Sequence, residues 1–479
     1  MGTFRPFLQP TQANPKLAPT TIKAQFHRIG SSFSICRSSS GAMPNDAEGG
    51  FTNGHSNERT GLLNGNSSRH GGSQRWSRRD ERLWVRIPYE TCHLTYATLA
   101  SNYINILLVF VPLGLLSGFL GWSPTATFVL NFIAIMPLAS LLSFATEELA
   151  STLGETLGGL LNATFGNAVE LIVSIVALSK NEIRIVQSSM LGSVLSNILL
   201  VLGCCFFFGG LKHHEQKFNS TAASTMSSMM TVASASLIIP STLYASLASS
   251  KADSRENILF LSHGTSIILL IVYIMYLFFQ LRSHSDLFES SNVEDGDVRA
   301  EEEEEERTLN PYAASILLLV VTVLVAGCAE YLVGSIEPIV QSTGMSRTFI
   351  GLILIPIVGN AAEHVTAVVV ACKNKMDLAI GVAIGSSLQI ALFVTPFLVI
   401  LGWIMDKDMT LHFQTFETVA FFVSGLVVTI LIQDGKSNYL EGGLCLGMYV
   451  IIALGFYVYP DDAGDIGTVA SQLASRFAL

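Results

Sequence analysis

Charge is what this chain has least of. Only 13% of its 479 residues are Asp, Glu, Lys or Arg, while half are hydrophobic, against about 25% charged in soluble globular domains. So little charge cannot keep a surface of this size in water, and the chain reads as an all-α polytopic membrane protein. Metal-binding and redox patterns are missing too. The seven cysteines (Cys36, Cys92, Cys204, Cys205, Cys328, Cys372 and Cys445) are scattered without a CxxC or Cys/His spacing, so they are expected as small packing residues. There is no HExxH, no GxxxxGKT-type phosphate loop and no nucleophile set beside a base, which removes the common routes to a membrane enzyme. Neither enzymatic activity, nor a bound cofactor, nor a nucleic-acid partner is expected.

What is present is a series of long apolar runs. The first 85 residues, rich in Ser, Gly, Asn and Arg, lack a helical period and read as a disordered basic arm. Residues 1–45 carry five basic residues and no acid, but no apolar signal core follows, so an untargeted tail is favoured over an organelle presequence. Arg75, Arg78, Arg79, Arg82 and Arg86 then precede the first apolar run, which predicts a cytosolic N-terminus by the positive-inside rule. Windows of about 20 apolar residues predict about eleven spans. They lie at Tyr103 to Trp122, Thr125 to Phe144, Leu157 to Leu178, Ile185 to Phe208, Met226 to Leu247, Ile258 to Leu281, Tyr312 to Val333, Phe349 to Ala371, Leu378 to Ile404, Phe416 to Ile432 and Gly443 to Tyr459.

If the first span is a leading helix, the other ten form two sets of five around an acidic loop, and an odd number per set forces the two halves to insert in opposite senses. The expected organisation is therefore a basic arm (1–85), a juxtamembrane segment and leading helix (86–122), a first repeat (123–281), an acidic cytosolic loop (282–310), a second repeat (311–460) and a tail (461–479). Sequence agreement supports the repeat: Lys180-Asn181 matches Lys373-Asn374, and Gly192-Ser193 matches Gly385-Ser386. In this topology the sequons at Asn66 and Asn219 are cytosolic, and neither is expected to carry glycan.

The chemistry sits in two near-identical pentapeptides, Gly166-Asn167-Ala168-Val169-Glu170 and Gly359-Asn360-Ala361-Ala362-Glu363. An ionisable group at membrane depth costs about 2.5 to 3.5 kcal/mol on insertion scales, so two in matching frames predict a cation pathway. On a continuous helix the Gly, Asn and Glu of each motif share one face. Calcium takes six to eight oxygen ligands, and two carboxylates, two amide side chains and carbonyls freed at helix breaks would supply them. Pro356 and the glycines around both motifs predict such breaks. Desolvation and mutual repulsion disfavour an empty site with both acids ionised, so it would hold protons until a divalent ion displaces them. That makes exchange of calcium for protons the low-energy cycle.

Other polar residues at depth carry weaker expectations. Glu147, Glu148 and Glu330 are read either as lids or alternate proton sites, or as interfacial snorkelling residues. His364 follows the second glutamate where the first motif has Leu171, and either tunes the carboxylate or packs. Ser189, Gly192, Ser193 and Ser196 form a small-residue stripe mirrored by Gly381, Gly385, Ser386 and Gln389. Close helix packing explains the glycines, while the hydroxyls and the amides of Gln187 and Gln389 are candidates to bond the glutamates.

At these residues the sequence resembles the calcium/proton exchanger family, within the wider cation/calcium exchanger superfamily, from about Tyr96 to Tyr459. The carriers are Gly166 to Val176, Gly359 to Val368 and the acidic run between the halves. The resemblance implies a leading helix plus two inverted five-helix repeats, a location in the vacuolar membrane, and Glu170 and Glu363 as an alternating-access site. It also implies that Glu301, Glu302, Glu303, Glu304, Glu305 and Glu306 form an acidic helix at the cytosolic mouth that attracts calcium as a regulatory ion. From composition alone a solvated disordered run is the default. The expected partners are calcium as transported substrate, protons and the lipid bilayer; oligomeric state is not legible. The rival readings are a sodium/calcium or manganese/proton exchanger and, in a different class, a non-transporting calcium sensor.

Overall fold

A computed structural model of the chain describes residues 103–153, 155–247, 254–284 and 309–459. The basic arm, the run Glu301 to Glu306 and the C-terminal tail lie outside the described residues. Each predicted apolar segment is helical. A 3-10 turn, Tyr103–Val109, leads into α1, Phe110–Phe119. The first repeat follows as α2 (Pro124–Leu153), α3 (Glu155–Phe165), α4 (Ala168–Ser179), α5 (Ile183–Leu195), α6 (Leu202–Lys212), the two-residue strand β1 (Gln216–Lys217), α7 (Ser220–Leu247) and α8 (Ser254–Phe278). The second runs through α9 (Pro311–Gly334), α10 (Ile336–Thr343), α11 (Arg347–Phe349), α12 (Ile355–Gly359), α13 (Ala361–Cys372), α14 (Met376–Gln389), α15 (Thr395–Ile404), α16 (Thr415–Leu431), β2 (Lys436–Ser437) and α17 (Tyr439–Val458).

Seven helices among the described residues are long and apolar enough to cross a membrane, and the pair Arg347–Gly359 and Ala361–Cys372, bent by 56°, passes the same test when taken together. Three shorter apolar helices, Ile104–Phe119, Ala168–Ser179 and Thr415–Leu431, occupy the other predicted positions. The shortness of α4 has a local cause. The predicted span Leu157 to Leu178 is interrupted at Gly166-Asn167, leaving two half-helices in place of one.

The repeat is visible in the backbone. Asn181 and Asn374 both take the left-handed conformation, with φ of 64° and 62°, directly after α4 and α13; asparagine is among the few non-glycine residues that tolerate it. Turns of π-helix, which recur at functional sites, join α5 to α6 at Ser196–Val201 and α14 to α15 at Ile390–Val394. The strands β1 and β2 pair antiparallel, Gln216 opposite Ser437, and tie the two repeats at one end of the bundle.

The core lies along α5–α6 and α14–α15, whose middles are mostly buried, while α8 and α17 present most of their surface outward. Helix α2 lies along α9. The leading helix is seated on this pair: Asn131 Nδ2 donates to Gly114 O at 3.1 Å, and Gly118 lies against the ring of Tyr331. Asn219 is the N-cap of α7, its Oδ1 accepting from the backbone N–H groups of Thr221 and Ala222 at 3.0 and 3.2 Å.

Candidate cation site

Both motifs sit where a helix breaks. Gly166 N–H closes the last turn of α3 on Asn162 O at 2.8 Å, Asn167 leaves helical geometry (φ −106°, ψ 34°), and α4 begins at Ala168. Asn360 makes the corresponding break between α12 and α13. Glu170 and Glu363 therefore stand in the first turns of α4 and α13, where the helix dipole and unpaired N–H groups favour a carboxylate. The breaks revise one expectation: Gly166 and Asn167 precede the helix that carries Glu170, and the three do not share a continuous helical face.

Convergence comes from crossing of the two halves. A Cβ on Gly359 would lie 2.8 Å from Glu170 Oε1, so the first carboxylate rests against the backbone of the second motif. Ser386 Oγ donates to Glu363 Oε2 at 3.1 Å and lies 3.4 Å from Asn167 Oδ1. Glu170 is 6% exposed and Asn360 fully buried. Each motif thus completes its surroundings with atoms of the other, as inverted repeats meeting at the membrane midplane require.

Several buried polar atoms here have no partner among the described residues: Asn167 Nδ2, both amide atoms of Asn360, Asn197 Oδ1 and Ser174 Oγ. Each such atom costs about 1 to 3 kcal/mol, and a cluster of them beside two carboxylates has the oxygen-rich character of a hard-cation site. Asn197 was not among the sequence candidates. It is fully buried, and its Nδ2 donates to Ser386 Oγ at 2.5 Å. The signal was available: Asn197 lies four residues after Ser193, on the same helical stripe, inside an otherwise apolar run. No group of three or more His, Cys, Asp or Glu side chains able to hold a metal occurs among the described residues.

A cavity of about 370 Å³ leads to this point from one end, between Ser143 and Glu147 of α2, Asn162 of α3, Tyr276 of α8 and Gly381 of α14, and reaches Glu363, Ser386 and Gln389. Its mirror position is closed. Gly192 of α5 meets the backbone of Leu352, and Gly351 meets Ser188, whereas a Cβ at Gly385 or Gly381, the residues mirroring Gly192 and Ser188, would have nothing within 4 Å. Two halves of similar sequence are thus held in different arrangements, one open and one shut.

The structure separates the remaining candidates. Gln389 lines the cavity, its Oε1 near Gly166. His364 Nε2 lies 3.2 Å from Ser196 Oγ. Ser193, the mirror of Ser386, is buried but bonds neither carboxylate among the described residues. Gln187 is corrected: its Nε2 donates to Thr410 O and Oγ1 at 3.0 and 3.2 Å at the closed end, because α5 enters the bundle there. Glu148 and Glu330 have partners outside the two motifs. Glu148 Oε2 accepts from Leu309 N–H at 3.1 Å. Glu330 is half exposed and pairs with Lys180 at 2.8 Å, at the other end of the bundle from the cavity.

A family model described as sodium/calcium exchanger protein matches residues 123–282 and 313–458. The chain belongs to this family. The two matched blocks coincide with the two repeats, and the leading helix falls outside them. Among curated exchanger relatives, the vacuolar calcium ion transporter of Schizosaccharomyces pombe is 50% identical over 367 residues, 77% of this chain and 87% of the relative. The Ca2+/H+ antiporter of Aphanothece halophytica is 45% identical over 362 residues, 74% of this chain and 96% of the relative. Among solved exchangers, the structure of native YfkE superposes with a TM-score of 0.63 at 37% identity, covering 74% of this chain and all of that one.

Proposed function

We propose that the protein is a proton-coupled antiporter that moves cytosolic calcium into the acidic vacuole by alternating access, and that it has no enzymatic activity. The observation that carries this reading is the meeting of the two motifs at interlocked helix breaks, with Glu170 against Gly359 and with Glu363 lining a cavity. Two carboxylates among neutral amides and hydroxyls are balanced either by one divalent cation or by two protons. Loading and unloading then exchange one for the other, and the empty, doubly ionised state is the barrier to leak. The relatives carry names such as vacuolar calcium ion transporter and Ca2+/H+ antiporter, which agrees with this assignment.

Orientation follows from chain direction. The cavity is walled by the last turns of α2 and α8, and α8 leads into the segment that contains the six glutamates. With a cytosolic N-terminus, that end faces the cytosol. The open cavity is then the loading state, and the closed seam between Gly192 and Leu352 is the release path to the lumen. Calcium uptake into vesicles with an imposed acid interior tests the proposal. Glu170→Gln and Glu363→Gln are each expected to abolish uptake while insertion is unchanged, and wild-type flux in both would refute it. Uptake driven by a sodium gradient but not by a pH gradient would point to a sodium-coupled exchanger.

A further inference from the structure

We propose that Lys180 and Lys373 are mirror-related latches that hold the two ends of the bundle shut in turn. At the closed end, the Lys180 ammonium, just past α4, lies 2.8 Å from Glu330 Oε1 and donates to Glu330 O at 2.8 Å. A Cβ at Gly334 would be 3.1 Å from the same nitrogen, so the ammonium lies along the last turns of α9. Helix α4 carries Glu170, and α9 belongs to the α2–α9 pair. The ion pair therefore spans the seam between the site-bearing half-helix and the neighbouring helix pair. The mirror image of that seam lies between α13 and α2, where the cavity is found.

The mirror partners can be identified position by position. Lys373-Asn374 repeats Lys180-Asn181, down to the left-handed asparagine. Burial sets the frame of α2 against α9: Leu138, Leu142, Ala145, Thr146 and Ala150 are buried, as are Val321, Val325, Cys328, Ala329 and Val333 at the equivalent positions. In that frame Glu147 takes the place of Glu330, and both are exposed. Glu147 lies on the cavity wall. Lys373 is exposed and bonds no carboxylate among the described residues. Lys180 is paired with Glu330 at the shut end, whereas at the open end Lys373 and Glu147 are not paired with each other, Glu147 Oε1 accepting from Ser143 Oγ at 3.4 Å. Closing the cavity brings Lys373 to Glu147, while opening the other seam separates Lys180 from Glu330. The lysines act on the site through the helices they join, so they are positioning residues and not cation ligands.

This inference rests on the two-facing cycle proposed above. The test uses the full-length protein with its native cysteines replaced and one reporter, Gly381→Cys, on the cavity wall, where a side chain meets nothing within 4 Å. Its rate of labelling by a polar maleimide reads the share of molecules with the cavity open. An exposed pair of this kind shifts a two-state balance by about two- to fivefold. Lys180→Met is expected to slow labelling by that factor, and Lys180→Glu with Glu330→Lys to restore it. Adding Lys373→Met to Lys180→Met should return the rate toward that of the parent. Recovery by charge exchange separates a latch from damage to folding. If labelling of the parent responds to calcium and pH but no lysine variant alters it, the latch is refuted and the exchanger reading stands. If the parent itself does not respond to either, both fail.

Discussion

Gly359→Ala isolates the crossing of the two motifs from their charge. The new methyl would lie 2.8 Å from Glu170 Oε1 and 3.3 Å from its carboxyl carbon. Ordinary contact begins near 3.4 Å, so the carboxylate must withdraw by about 0.5 Å. Calcium–oxygen distances span only about 2.3 to 2.6 Å, so the displacement exceeds the whole tolerance of the ligand. A misplacement of about 1 Å costs about a hundredfold in rate, and half of that about tenfold. The backbone gives no reason for loss of folding: Gly359 is not in the left-handed region and ends α12, where alanine is favoured over glycine by up to about 1 kcal/mol. Calcium uptake into acid-interior vesicles should therefore fall about tenfold at unchanged expression and thermal stability. Gly381→Ala, which adds a methyl to empty cavity space, serves as the control and should transport normally. Uptake by Gly359→Ala within about twofold of the parent would refute the close approach of Glu170 to the second motif.

Ser386→Ala removes the hydroxyl shared by Glu363, Asn167 and Asn197; it should weaken apparent calcium affinity about three- to tenfold, the worth of one hydrogen bond, while an unchanged half-saturating concentration would contradict the shared role. Arg184 pairs with the fully buried Glu417 and also bonds Thr348, so Arg184→Met leaves a buried carboxylate uncompensated and should cost about 3 to 5 kcal/mol of stability. Thermal unfolding in detergent measures it, and an unchanged midpoint would show that the pair does not hold the closed end. Asn219, placed at the same end as β1 and the cavity mouth, is expected to remain unglycosylated in a secretory-pathway host; a mobility shift on glycosidase treatment would reverse the assigned orientation.

The sequence by itself determined the class of fold and the positions of its helices, because a hydrocarbon solvent requires every backbone polar group to be satisfied within a long apolar segment. It also determined the twofold design, since Gly166 to Glu170 and Gly359 to Glu363 are legible without coordinates. Helix breaks at the motifs were expected from Pro356 and the glycines, but their consequence was not. Whether Asn167 shares a face with Glu170 depends on which residue begins the new half-helix, and only the structure supplies that. Tertiary structure alone separated Ser386 from Ser193 and Gln389 from Gln187. Ser386 and Ser193 have equivalent surroundings in a symmetric reading of the sequence, and Gln389 and Gln187 are alike only in residue type, yet one half is open and the other shut. It also brought Glu330 to Lys180, a contact 150 residues apart in sequence. Local pattern records what a side chain can do; which side chains meet is decided by the packing of the two halves, and an asymmetric state of a symmetric sequence leaves no trace in the residues themselves.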